Sequence, residues 1–297
     1  MLKRLLRWAV ALAIVGAAAF WWLTRPVLLD ADALAELEPD VVAGEQVFYA
    51  AGCASCHSAP KAEGDAKLVL SGGRAFPSPF GTFYAPNISP DPNHGIGGWS
   101  ALDLANAMKN GVSPQGSHYF PAFPYASYIR AELGDIVSLH AFLTTLPASA
   151  EPSKPHDVGF PFNIRRTLGG WKLLFLRDGW VLDAELTTQE ERGRYLVEAL
   201  GHCGECHTER NPLGGLKHSS WLGGAPNPEG KGRVPNITPG KLQWSERDIA
   251  EYLKSGFTPD FDTAGSLMVD VIANTSQLTP EDRAAIAAYL KKVAALP

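Results

Sequence analysis

The chain is expected to be mostly α: one apolar N-terminal helix followed by two tandem copies of a small helical domain. Three observations predict this. An uncharged stretch of 17 residues, Trp8 to Thr24, follows a basic start. Four blocks of the sequence recur later in the chain in the same order, the mark of an internal repeat. Within those blocks, serines with an acid three residues later precede helix-like stretches, and apolar residues recur at helical spacing. A length of 297 residues suits two domains and a linker.

The repeat sets the domain boundaries. "GEQVFYAAGCASCH" from Gly44 parallels "GRYLVEALGHCGECH" from Gly193, and "APNISPD" from Ala85 parallels "VPNITPG" from Val234. "GWSALDLANAMKNGVSP" from Gly98 parallels "QWSERDIAEYLKSGFTP" from Gln243, and "LGDIVSLHAFLTTLP" resembles "TPEDRAAIAAYLKKVAALP". Each copy then contains a first helix, a long Gly/Pro loop, a middle helix, a second loop and a closing helix. The middle helix starts at Ser100 or Ser245, with Asp103 or Asp248 positioned to complete a capping box. In the second closing helix, Ile286, Tyr289, Leu290 and Val293 share one face. The divisions are 1–29, 30–147, a linker at 148–192, and 193–297.

The N-terminal run is at the short end of what crosses a bilayer. Lys3, Arg4 and Arg7 would keep its start in the cytoplasm, and Trp21 and Trp22 would sit at the far interface. Ala17 to Ala19 also resemble a signal cleavage site, with a mature start at Phe20. The length of the run and its closing Trp pair favour a retained anchor. The formal net charge is −5, and no basic run occurs beyond the first seven residues, which argues against nucleic acid as a partner.

All four cysteines fall in two C-x-x-C-H motifs, Cys53, Cys56, His57 and Cys203, Cys206, His207. This is the attachment signature of c-type haem. Two thiols three residues apart can add to the two vinyl groups of one porphyrin, and the next imidazole then faces the iron. Paired C-x-x-C also suits tetrahedral zinc, but here each pair has its own histidine directly after it. Two covalently bound haem c groups follow. Because haem c is attached outside the cytoplasm, the haem domains are expected on the periplasmic side of the cytoplasmic (inner) membrane.

With these motifs, each copy has the layout of a class I cytochrome c domain. The chain resembles the multi-haem cytochrome c subunits of membrane-bound alcohol and gluconate dehydrogenases. "FGTFYAPNISPD" with "GIGGW", the linker's "FPFNIRR" and "GWKLLF", and "RGRYLVEALGHCGECHTERNPLGG" carry the resemblance. Such subunits usually have three haem domains, whereas this chain has two and an N-terminal anchor. The resemblance implies electron transfer with a redox protein partner: a dehydrogenase subunit, a cytochrome or an oxidase.

It also implies the sixth iron ligands. A class I domain usually takes a methionine from the loop before its last helix. Met268 lies in that loop of the second copy. Aligned on Gly111 and Gly256, the first copy has Phe123 there, in "PAFPY" where the related subunits have "PAMPY". His118, five residues earlier, is the expected substitute; His57 to His118 spans 61 residues, as does His207 to Met268. Bis-histidine ligation would make the first haem the lower in potential. Trp99 and Trp244 at matched positions, and Arg165 and Arg166 in the linker, are candidate haem-propionate contacts. Asn87 and Asn236 are expected to order the loops that wrap the haem edges.

The functional expectation is an electron relay between a dehydrogenase or the quinone pool and a periplasmic or terminal acceptor. No nucleophile or acid–base set is evident. The alternative is a peroxidase-like dihaem enzyme with an open coordination site at the first haem. In the first domain, acidic side chains outnumber basic ones by 12 to 5, a charge that would steer a basic partner such as a soluble cytochrome.

Overall fold

The computed structural model describes residues 1–227, 230 and 232–297. Helix α1, Leu2–Leu23, has no buried residue, meets the rest only at its C-terminal end, and is long and apolar enough to cross a membrane. In the first half follow α2 (Val41–Ala50), α3 (Cys53–His57), α4 (Ala101–Asn110), α5 (Tyr125–Tyr128) and α6 (Leu133–Leu143). The linker forms α7, Thr167–Phe175. The second half contains α8 (Thr188–Arg194), α9 (Gly204–His207), α10 (Glu246–Ser255), α11 (Met268–Thr275) and α12 (Pro280–Lys292). The molecule is therefore mostly helical with an apolar N-terminal helix, as the sequence predicts.

The two halves repeat one packing scheme, first helix against last. A Cβ on Gly44 of α2 would lie 2.0 Å from the carbonyl oxygen of Ser138 in α6. A Cβ on Gly193 of α8 would lie 2.0 Å from that of Ala285 in α12. Glycine is required at both crossings because the helix backbones nearly touch. The middle helices also match: Ser100 and Ser245 each form a capping box with the acid three residues on, and each helix stops at a left-handed glycine, Gly111 or Gly256.

One residue breaks the register of the repeat. From Gly to the first Cys, the second copy is one residue longer than the first. The structure absorbs it by continuing α8 as a π-helix over Tyr195–Leu200. A π-turn takes an extra residue without ending the helix. The turn into each motif then needs a left-handed residue, Gly52 in one copy and His202 in the other.

The long loops are more ordered than expected. Each contains a short antiparallel hairpin, β1 (Ala75–Ser78) with β2 (Gly81–Tyr84), and β3 (Ala225–Pro226) with β4 (Arg233–Val234). Ala75 pairs with Tyr84, and Ala225 pairs with Val234. One apolar cluster runs through both halves, from Phe48 and Leu139 to Leu196, Leu200 and Tyr289. Glu198 is fully buried where the parts meet. Its carboxylate accepts from the backbone N–H of Val181 (2.6 Å) and Leu182 (3.0 Å) and from the Tyr289 hydroxyl (2.5 Å), with Arg130 at 4.0 Å.

Candidate haem-binding sites

The five residues Cys53–His57 form one helical turn, and Cys203 caps the equivalent turn ending at His207. No disulfide joins any of the four cysteines. Burial pushes the thiols of Cys53 and Cys203 up to about 12 and that of Cys56 up to about 11. Among the described residues, no group of three or more His, Cys, Asp or Glu side chains is placed to hold a bare metal ion.

Each histidine is oriented by the loop that follows it. The Nδ1 of His57 lies 2.9 Å from the Pro86 carbonyl, and that of His207 lies 2.8 Å from the Pro235 carbonyl. A carbonyl only accepts, so Nδ1 bears the proton and Nε2 keeps a free lone pair. Burial lowers the proton affinity of both imidazoles, which favours the neutral form that binds metal. The loops are pinned in the same way. The N–H of Gly72 donates to the His57 carbonyl and that of Gly224 to the His207 carbonyl, both at 2.7 Å. Both glycines have positive φ, and a Cβ on Gly72 would meet the Ala85 and Pro86 backbone at 2.5 Å. Asn87 and Asn236 brace these loops by donating to the carbonyls of Ser149 and Glu151 (2.8 and 2.7 Å) and of Leu296 (3.1 Å).

The loop before the closing helix is also equivalent in the two copies. A β-bridge joins Val112 to His118 in one and Phe257 to Thr263 in the other. Tyr119 N–H donates to the Gly111 carbonyl, as Ala264 N–H does to that of Gly256. His118 thus corresponds to Thr263, and Phe123, five residues on, corresponds to Met268. Met268 begins α11 and packs, half-buried, against the core, and Phe123 packs against the core in the other half.

The structure places His118 between the end of α1 and α7. It is 4% exposed, and both ring nitrogens are engaged elsewhere: Nε2 lies 2.8 Å from the Thr24 carbonyl and Nδ1 lies 3.0 Å from Lys172 Nζ. It fastens the end of α1 to α7 and presents no free nitrogen to a metal. The equal 61-residue spacing reflects loops of different length, not equivalent positions. The linker arginines lie in the same region. Arg165 donates to the His118 carbonyl (2.9 Å) and lies over the Phe120 ring, and Arg166 donates to Thr24 Oγ1 (3.1 Å) and to the Trp21 carbonyl. Arg166 thus bonds to the end of α1, and Arg165 to the loop that holds His118. Trp99 and Trp244 are half-buried, and neither indole N–H has a partner among the described residues.

The seam between the halves is reciprocal, which no sequence motif signalled. Ser55 and Glu205 hold the same place in the two C-x-x-C-H turns. Ser55 Oγ accepts from Asn274 Nδ2 (2.8 Å) and donates to the Asp270 carbonyl (3.3 Å), both in α11 of the other half. The Glu205 carboxylate accepts from Ser127 Oγ (3.1 Å) in α5, the counterpart of α11. Tyr128 Oη and His202 Nε2 both reach the Ala51 carbonyl, at 3.2 and 3.3 Å. Each attachment turn is thus bonded to the opposite half.

Two cysteines on one helical turn, followed by an imidazole whose Nδ1 is bonded to a loop carbonyl, are the attachment site of a c-type cytochrome, and the chain has two of them. No family model matches the chain. It is 58% identical over 295 residues to a dihaem cytochrome c-type protein of Cereibacter sphaeroides, covering 99% of this chain and 100% of that one. The chain belongs to this family of dihaem c-type cytochromes, which are electron-transfer proteins. It is also 39% identical over 266 residues to the fructose dehydrogenase cytochrome subunit of Gluconobacter japonicus, covering 86% of this chain and 53% of that one. Against the cytochrome c subunit of the quinone alcohol dehydrogenase of Gluconobacter oxydans, identity is 35% over 271 residues, covering 86% and 55%. The chain spans about half the length of these dehydrogenase subunits.

Proposed function

We propose that this chain is a membrane-anchored electron relay between a dehydrogenase or the quinone pool and a periplasmic or terminal acceptor. Residues 30–147 and 193–297 are its two class I cytochrome c domains, carried on the periplasmic side of the inner membrane by α1. Each haem c, when bound, supplies a one-electron iron couple. Cys53 and Cys56 hold one, Cys203 and Cys206 the other. His57 and His207 offer Nε2 to the irons, Met268 offers sulfur to the second, and Trp99 and Trp244 donate to propionates. The observation that carries this reading is the reciprocal seam, in which each attachment turn is bonded to the other half's ligand-loop helix. Two redox groups attached there are neighbours. The dehydrogenase names of the relatives support a dehydrogenase donor.

The test is stopped-flow reduction of the oxidised full chain by a quinol and, separately, by dehydrogenases that copurify with it. Rapid reduction of both haems by either donor supports the relay. Failure with every donor overturns it.

Two observations favour a second reading of the first site, a peroxidase-like open coordination position. Phe123 stands where Met268 stands in the other copy, and His118 has both nitrogens engaged. A high-spin ferric component that reacts with hydrogen peroxide would support it, and two low-spin haems would dismiss it.

A further inference from the structure

The geometry points to a second membrane contact: helix α7 lies on the outer leaflet of the bilayer that α1 crosses, with one face against anionic phospholipid head groups. This rests on the reading of α1 as a retained anchor.

Positions 166, 170, 173 and 174 fall on one side of α7 by helical periodicity. The first part of that side meets the end of α1. Arg166 donates to the Trp21 carbonyl, with its guanidinium 4.2 Å from the Trp21 ring centroid. A Cβ on Gly170 would touch Phe20 at 3.6 Å, and one on neighbouring Gly169 would strike the Thr24 carbonyl at 2.3 Å. One turn further, the same side presents Leu173 and Leu174, 53% and 57% exposed. The apolar surface of α1 therefore continues onto α7 without a break.

The level of this surface in the membrane follows from α1. Trp21 and Trp22 end the apolar run, where indoles settle at the head-group boundary. Arg25 lies over Trp22 as Arg166 lies over Trp21, at 4.2 Å each. Arg177 is exposed at the far end of α7, capping the carbonyls of Leu174 and Leu176. A short helix with exposed leucines on one side and an exposed arginine at its far end suits an anionic interface, where the aliphatic groups enter the acyl boundary and the donors that Arg177 has left face phosphates. Phe160 and Phe162, 81% and 46% exposed, come just before α7 in the chain. With α7 seated, the cytochrome units keep one height and one face toward the bilayer instead of swinging on a tether.

The test places a spin label on the full holo-chain in nanodiscs containing phosphatidylglycerol. Collision with oxygen and with a water-soluble nickel chelate reports depth. Leu174→Cys is the test site, Val15→Cys in α1 the lipid reference, and Lys254→Cys in α10 the aqueous reference. If the haem spectrum shows that Leu174→Cys has misfolded, Leu173→Cys replaces it. The expected result is nickel accessibility at position 174 several-fold below that at position 254, with raised oxygen accessibility. Equal nickel accessibility at 174 and 254 with position 15 in lipid overturns the α7 contact and leaves the anchor standing. Position 15 in water would sink the anchor reading, and this inference with it.

Discussion

Arg74 in the first half and Asp270 in the second meet at 2.8 Å, two residues beyond Met268. Lys67 reaches the other carboxylate oxygen at 3.2 Å. Arg74 also donates to the Ser55 carbonyl inside the first attachment turn. This cluster joins one haem-attachment turn to the helix that begins with the other copy's candidate ligand, so the first half helps to position Met268.

Asp270→Asn should therefore loosen the second half's ligand loop. Burial acts to raise the Asp270 carboxyl, but hydrogen bonds from Arg74 and Lys67 outweigh it and hold it low. A depressed carboxyl contributes stability above its unfolded value of about 4, and that contribution is lost as pH falls through the folded value. Urea unfolding should show a loss of roughly 1 kcal/mol near neutrality in the variant, as expected for a half-exposed pair. The difference from wild type should shrink below pH of about 4. A constant difference across that window would remove the carboxylate from the account.

Gly44→Ala and Gly193→Ala should each cost about 1–3 kcal/mol, because the added methyl overlaps a carbonyl oxygen of the crossing helix. Gly134→Ala is the control, since nothing lies within 4 Å of its Cβ position. Thermal melts followed by circular dichroism would rank the three. Equal melting temperatures would mean that the helices do not cross where these glycines sit.

Haem ligation separates the two copies. A pyridine haemochrome assay should find two covalent haems per chain, falling to one in Cys53→Ala/Cys56→Ala and to one in Cys203→Ala/Cys206→Ala. Met268→Ala should abolish the weak red charge-transfer band of a histidine–methionine haem and lower one potential only. Phe123→Met should add a second such band. If Met268→Ala leaves spectrum and potentials untouched, Met268 is a core residue and nothing more.

His118→Ala tests the correction directly. It should leave the spin state and potential of both haems unchanged while weakening the junction of α1 with α7, seen as faster amide exchange in α7. Conversion of one haem to high spin would restore His118 as a ligand. Lys172, in contact with His118, is pushed down to about 7 by burial. Its folded value lies below its unfolded one, so the unfolded chain binds more protons between the two. Stability at this junction should rise as pH increases from about 7 toward 10, and Lys172→Met should flatten that rise.

The divergence between expectation and structure at His118 shows how far local patterns reach. The capping boxes at Ser100 and Ser245 formed as expected because each is a bond between residues three apart. The equivalence of Phe123 and Met268 was visible from the glycines that end α4 and α10. The partners of His118 were not, because Thr24 and Lys172 lie 94 and 54 residues away along the chain. The hairpins β1–β2 and β3–β4 were also missed, since short strands in Gly/Pro-rich loops have no apolar alternation to announce them.

By itself the sequence determined the chemistry that depends on neighbours in the chain: thiols and imidazole within five residues, caps at helix starts, an uncharged run long enough to span a bilayer, and a repeat that brings the same parts twice. Only the tertiary structure decided which way His118 faces, that Arg166 bonds the end of α1, and that Ser55 and Glu205 each bond the opposite half. The physical reason is that these outcomes depend on how two units and a linker dock. Docking joins side chains far apart in sequence through shape and hydrogen bonding, and neither leaves a period or a motif in the order of residues.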